Sequence, residues 1–201
     1  MEFKQIINKL QDEKLYAKEN FIPIIRDKSA EYLYDFIKEH KFKKVLEIGT
    51  AIGYSGSIIL SASDLTLCTV DINEKSLEIA EKTFTKLNFQ NRVKVYNDDA
   101  KNFLKLLIKE NQKFDMIFLD GAKGQYIYYL DDLTELLVDG GYIFADNVLL
   151  QGMVESSEKI PHRKRTMVVN LRKYLDKINK YPYQSELLRI EDGIAITKVK
   201  R

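Results

Sequence analysis

Cysteine, histidine, proline and glycine are all scarce in this 201-residue chain, and each scarcity removes a class of explanation. The single cysteine, Cys68, cannot close an intrachain disulfide. Two isolated histidines, His40 and His162, leave neither a Cys/His zinc cluster nor a triad with a nucleophile. With three prolines, nine glycines, no low-complexity stretch and no internal repeat, there is no sign of a linker or a disordered tail. No apolar run approaches the ~20 residues that span a bilayer, and Met1 to Lys18 is too charged for a signal peptide. The expectation is a protein of the reducing cytoplasm with no membrane partner. What is present is a 45% hydrophobic content, enough for the core of one α/β domain spanning residues 1–201.

Charge of one sign is missing overall but not locally. The formal net charge is +2, yet Lys159 to Lys180 holds eight Lys/Arg against one acid, Asp176, a local net of +7. The remainder carries 24 positive and 29 negative residues, hence −5. A basic segment on an acidic body points to an anionic partner, although charge runs are more often solvated faces.

Short apolar runs alternate with amphipathic stretches. Strands are expected at Lys44–Ile48, Thr66–Val70, Arg92–Tyr96, Phe114–Leu119 and Tyr142–Ala145. Helices are expected at Tyr54–Ala62, Glu74–Leu87, Ala100–Lys109 and Tyr126–Leu137, with Phe3–Glu19 and Lys28–His40 preceding the first strand. Residues 1–41 thus read as N-terminal helices packing on the core. This alternation predicts βαβ crossovers and a doubly wound, mostly parallel, Rossmann-like sheet. After a basic helix near Lys164–Asn179, the runs Gln184–Ile190 and Ile194–Val199 flank Asp192-Gly193, a hairpin signal. The sheet should therefore end in an antiparallel pair at its edge.

Ligands of such sheets gather at the carboxyl ends of the strands, and polar residues cluster there. The first strand leads into Glu47-Ile48-Gly49-Thr50-Ala51-Ile52-Gly53-Tyr54-Ser55. Gly49 and Gly53 permit a sharp turn and a close ligand approach. Their G-x-x-x-G spacing is not the G-x-G-x-x-G of a dinucleotide site, which counts against a dehydrogenase. The second strand ends in Asp71, suited to two ribose hydroxyls, and the third leads to Asp98-Asp99-Ala100, suited to an adenine edge. Any one of these residues alone is more simply a turn former or a helix cap. Three successive strand ends in register favour a nucleoside cofactor.

Leu46 to Ser55 resembles the glycine-rich first motif of class I methyltransferases. Glu-Ile-Gly-Thr-Ala-Ile-Gly-Tyr-Ser is similar in detail to the catechol and caffeoyl-CoA O-methyltransferase family, and the resemblance runs from about Phe21 to Lys198. It implies S-adenosyl-L-methionine as cofactor. Glu47, Gly49 and Ser55 would then hold the methionine end, Asp71 the ribose and Asp99-Ala100 the adenine. Ile25, in Pro23-Ile24-Ile25, would close over the cofactor from the N-terminal side.

The fourth strand ends in Asp120-Gly121-Ala122-Lys123 and the fifth in Asp146-Asn147. Asp120, Asp146 and Asn147 offer three oxygen donors, the chemistry a hard cation such as Mg2+ prefers. Caps and turns explain Asp146-Asn147 about as well in isolation. The family pattern, Asp-x-x-Lys followed by Asp-Asn, is present in full and implies the same cation site, with Asp120 counted toward both cofactor and catalysis. Lys123 is the candidate base, since an ammonium beside a dication loses its proton more easily, although most lysines are merely solvated.

A cation that binds two adjacent oxygens calls for an acceptor such as a catechol or 5-hydroxyuridine. The basic segment begins shortly after Asn147, so Arg163, Lys164, Arg165, Arg172 and Lys173 are candidate grips for RNA phosphates. The stretch Asp146 to Val154, Arg163-Lys164-Arg165-Thr166 and Leu171-Arg172 are most similar to bacterial tRNA 5-hydroxyuridine methyltransferases, which act on the wobble position of the anticodon loop. One departure is Glu191, where relatives commonly carry Gly before the Asp. Transfer to tRNA therefore ranks ahead of transfer to a small catechol-like molecule. A non-catalytic RNA- or nucleotide-binding module ranks below both, because none of Asp120, Lys123, Asp146 and Asn147 has decayed. Relatives also suggest a homodimer, through the N-terminal helices or the edge hairpin.

Overall fold

Val45, Leu46 and Ile48 are buried, and with Lys44 and Glu47 they form β1 (Lys44–Ile48), the first strand in the computed structural model, which describes residues 1–200. β1 pairs in parallel with β2 (Thr66–Asp71), and β2 pairs in parallel with β3 (Val93–Asn97). Ile48 lies opposite Val70, and Asp71 opposite Asn97, so these strand ends are in register. Between them run α4 (Tyr54–Ala62) and α5 (Glu74–Lys86). Tyr54 to Ser61 are all buried in α4, as expected of a helix that is apolar on nearly every face. The N-terminal helices are α1 (Phe3–Lys9), α2 (Gln11–Glu19) and α3 (Asp27–His40), and both α1 and α3 pack against α4. These elements belong to one compact unit, Met1–Phe103.

The second unit begins at Leu104, within α6 (Ala100–Lys109). Its strands β4 (Phe114–Leu119) and β5 (Leu137–Ala145) are parallel and joined through α7 (Tyr126–Leu136). β7 (Ile194–Val199) pairs antiparallel with β5, and β6 (Tyr183–Leu188) pairs antiparallel with β7. The basic helix α8 (Arg165–Ile178) packs against α7 and the turn that precedes it. The fold is α/β, with parallel strands followed by the antiparallel pair that the Asp192-Gly193 signal predicts.

Most boundaries lie within two residues of the sequence pattern, and three features depart further. The stretch Phe3–Glu19 is two helices, broken at the fully buried Leu10. β5 starts five residues before Tyr142, because the pairing jumps from Phe114–Leu137 to Met116–Tyr142 and a bulge absorbs the intervening residues, with Gly140 at φ +73°. The final hairpin turns over residues 189–193, with Glu191 (φ +50°) and Gly193 (φ +83°) both left-handed, and is longer than a two-residue Asp-Gly turn.

Candidate active site

In the first unit, the chain leaves β1 through Gly49 at φ +105° and enters α4 through Gly53 at φ +78°. A Cβ at Gly53 would lie 3.0 Å from Phe84 Cζ and 3.1 Å from Ala80, so only glycine fits both the backbone and the packing. The Asp71 carboxylate braces this loop. Its Oδ2 accepts the Ala51 N–H at 2.9 Å, and its Oδ1 accepts the Asn73 N–H at 2.9 Å. Asn73, not Asp71, caps α5, accepting the Ser76 N–H at 3.1 Å. Each Asp71 oxygen keeps a lone pair for a further donor, and the side chain is only half-buried.

Glu47 is wholly buried and its charge is met by neighbours. Ser55 Oγ donates to Oε1 at 2.6 Å and Thr69 Oγ1 donates to Oε2 at 2.6 Å. Thr50 and Thr69 hydroxyls meet at 2.7 Å, extending this network. Asp99 stands at the start of α6, its Oδ1 accepting from the N–H groups of Lys101 (2.9 Å) and Asn102 (3.4 Å). Ile25 is buried in the segment before α3, whereas Ile72 is exposed directly after Asp71. A turn held open by glycine, a carboxylate with free lone pairs and an adjacent apolar side chain fit a nucleoside cofactor.

The second unit gathers Asp120, Lys123, Asp146 and Asn147. Asp146 is fully buried. Its Oδ1 accepts the Asn147 N–H at 2.8 Å, and its Oδ2, also buried, has no hydrogen-bond partner. Burial, and then the negative charge of Asp120, push its carboxyl up to about 7 against the opposing pull of Lys123 and the Asn147 N–H. Lys123 Nζ donates to Asp120 Oδ1, and both side chains are largely buried. No cluster of three or more His, Cys, Asp and Glu side chains is arranged to hold a metal among the described residues. The predicted set has two carboxylates, with the amide of Asn147 as its third oxygen donor. An orphaned, buried carboxylate oxygen that resists ionisation alone fits an oxygen-seeking dication.

The loop after Asn147 is fastened on two sides. Val148 and Leu149 N–H donate to the carbonyls of Gly193 (3.0 Å) and Asp192 (2.9 Å), and Gln151 N–H donates to the Asp192 carboxylate. Arg172 donates to the carbonyls of Val154 (2.8 Å), Ser156 (2.7 Å) and Met153 (3.3 Å). Arg172, grouped by sequence with the phosphate grips, therefore holds the loop. Arg163, Arg165 and Lys173 are exposed, Arg165 Nε donating to the Ile160 carbonyl, and Lys164 is half-buried with Nζ 3.4 Å from Gln151 Oε1.

The family profile described as O-methyltransferase matches residues 2–200. The chain belongs to the O-methyltransferase family. This methyltransferase is 31% identical over 140 residues to caffeoyl-CoA O-methyltransferase 1 of Zea mays, covering 67% of this chain and 54% of the maize protein. It is 27% identical over 174 residues to tapetum-specific methyltransferase 1 of Arabidopsis thaliana, covering 85% of this chain and 74% of the other. A solved chain from Staphylococcus aureus with a provisional caffeoyl-CoA O-methyltransferase name superposes with a TM-score of 0.84 at 30% identity, covering 98% of each chain. A Bacillus cereus O-methyltransferase solved in complex with SAH has the same fold, with a TM-score of 0.85 at 23% identity over 96% and 91% of the two chains.

Several residues of this methyltransferase do not stand out in the sequence pattern. Thr69 completes the Glu47 network and Tyr126 hydrogen-bonds at the ends of β4 and β5, while Asp192, marked by the sequence only as part of a hairpin signal, also anchors the loop. The Tyr126 phenol is pushed well above its ordinary value, by burial first and then by Asp120 and Asp146, so it stays a donor. The available signal was positional: Tyr126 lies three residues after Lys123 and Thr69 two before Asp71.

Proposed function

We propose that this methyltransferase moves a methyl group from S-adenosyl-L-methionine to one of two vicinal oxygens on an acceptor held at Mg2+, the acceptor being 5-hydroxyuridine at the wobble position of a tRNA. Family membership supports the methyl transfer. The observation that carries the cation reading is the buried, unpartnered Oδ2 of Asp146 in the same unit as Asp120, Lys123 and Asn147.

Glu47, Gly49, Gly53 and Ser55 would hold the methionine end of the cofactor, Asp71 the ribose, and Asp99 and Ala100 the adenine, with Ile25 covering it. Asp120, Asp146 and Asn147 would hold the cation. When bound, Mg2+ lowers the pKa of the coordinated hydroxyl and disfavours the protonated form of a neighbouring lysine. Lys123 takes the hydroxyl proton as the C–O bond forms and the C–S bond of the sulfonium breaks, so charge balances with a neutral thioether leaving. The Asp120 carboxylate, bonded to Nζ, keeps that amine aimed. The net +7 of Lys159–Lys180 supports a polyanionic acceptor, with Arg163, Lys164, Arg165 and Lys173 gripping phosphates.

A second reading, a small catechol-like acceptor, is favoured by relatives named caffeoyl-CoA O-methyltransferase. The test is transfer from labelled cofactor, with magnesium or a chelator, to 5-hydroxyuridine-containing tRNA and to a simple catechol in parallel. Magnesium-dependent labelling of the tRNA alone is expected. Labelling of the catechol alone moves the substrate to the second reading, and chelator-resistant labelling removes the cation from the mechanism.

A further inference from the structure

We propose that Tyr126 is a positioning residue for the two carboxylates of the cation site, acting through the backbone at the ends of β4 and β5; this rests on the functional reading above. Tyr126 opens α7 and is fully buried. Its hydroxyl lies 2.9 Å from the Leu119 carbonyl and 3.2 Å from the Asp146 carbonyl, and its one proton is shared between them. Leu119 is the residue before Asp120, and Asp146 is itself a proposed ligand. The same two strand ends are joined by the Asp146 N–H, which donates to the Leu119 carbonyl at 3.1 Å. The phenol thus closes a second link across them, at the point from which both carboxylates branch.

The ring is held from outside. Tyr174 of α8 packs edge-on against it, with centroids 5.7 Å apart at 71°, and Asn170 Nδ2, one turn earlier on α8, donates to the Gly124 carbonyl at 2.8 Å. Lys123 Nζ lies 5.8 Å from the Tyr126 ring centroid. A hydroxyl that served only the fold would lower stability when removed and leave the folded protein's cation affinity alone. A hydroxyl that sets the separation of two ligands changes that affinity, as outer partners of metal ligands do by about 10–100-fold.

The test is Tyr126→Phe, which keeps the ring and removes the shared donor. Mn2+ binding is read by electron paramagnetic resonance of the free ion, well below the unfolding temperature of each protein, alongside calorimetry of S-adenosyl-L-methionine binding. The Mn2+ dissociation constant should rise about tenfold or more, with cofactor affinity unchanged. Tyr174→Phe removes a hydroxyl from the same aromatic pair without touching either carbonyl, and should bind Mn2+ like the wild type. Equal Mn2+ affinity in Tyr126→Phe and wild type overturns the positioning role while leaving the cation reading intact. Absence of Mn2+ binding by the wild type overturns both.

Discussion

Asp146→Asn should stabilise the cation-free protein at alkaline pH and at the same time abolish its response to magnesium. Burial raises the Asp146 carboxyl from its ordinary 3.8 to about 7, assisted by the charge of Asp120. A folded state that holds a proton more tightly than the unfolded state is favoured at low pH, and that advantage is lost as pH rises through the folded value. A shift of about three units at ~1.4 kcal/mol each corresponds to about 4 kcal/mol of destabilisation above pH 7, developing between about pH 4 and pH 7. Asparagine carries no charge to bury, so in the presence of a chelator the variant should melt on the order of 10 °C above the wild type at pH 8.5. The two should converge toward pH 4. Magnesium reverses the ranking, because a cation at Oδ2 compensates the buried charge. Its apparent affinity for the wild type should fall about tenfold per pH unit below pH 7, where protons compete for the ligand. Scanning calorimetry from pH 4.5 to 8.5, with EDTA and with magnesium, reads both effects. Parallel pH profiles for the two proteins in EDTA would refute the buried-charge argument, and a magnesium shift surviving in Asp146→Asn would refute the ligand assignment.

Backbone geometry and charge set the other outcomes. Glu191→Gly should gain about 0.5–1 kcal/mol in urea unfolding, since Glu191 sits at φ +50° where a side chain is strained, and no gain would show that its own interactions outweigh that strain. Gly53→Ala should lose about 2–4 kcal/mol, from the left-handed φ together with a Cβ 3.0 Å from Phe84; an unchanged unfolding midpoint would remove the requirement for glycine. Arg163, Lys164 and Arg165 changed together to Ala should reduce the salt slope of tRNA binding by about one for each phosphate no longer gripped. Arg172→Ala should instead leave that slope unchanged and speed proteolysis of the loop after Asn147, because its guanidinium bonds to the carbonyls of Met153, Val154 and Ser156.

The strands were legible where short, mainly apolar runs are bounded by polar residues, and β1, β4 and β7 begin and end where the pattern places them. β5 was not, because Asp139-Gly140-Gly141 has the composition of a turn. Those residues form a bulge inside a strand, and only the pairing of Leu137 with Phe114 reveals that the strand has already begun. Strand pairing likewise decides Glu191. Glu191 is visible in the sequence beside the Asp192-Gly193 signal, but its left-handed conformation in the hairpin depends on where β6 and β7 stop pairing.

At the candidate site the division follows sequence distance. Asp71, Asp120, Asp146 and Asn147 were legible because each lies at or just after the end of a strand, and in this fold class those positions face ligands. Several groups that brace the site were not, because their partners lie far along the chain. Tyr126 reaches Asp146 twenty residues on, Thr69 reaches Glu47 twenty-two residues back, and Asn170 reaches Gly124 forty-six back. Charge shows the same boundary. Composition gives Arg163 and Arg172 equal weight in the basic segment, since a count records valence and not direction. Geometry decides between them: three backbone carbonyls of the loop take up the Arg172 guanidinium, and a charge already engaged with them has less to offer a phosphate. The charge of a basic segment on a folded surface therefore sets an upper limit on the phosphates it can hold, and each guanidinium that finds a carbonyl lowers it.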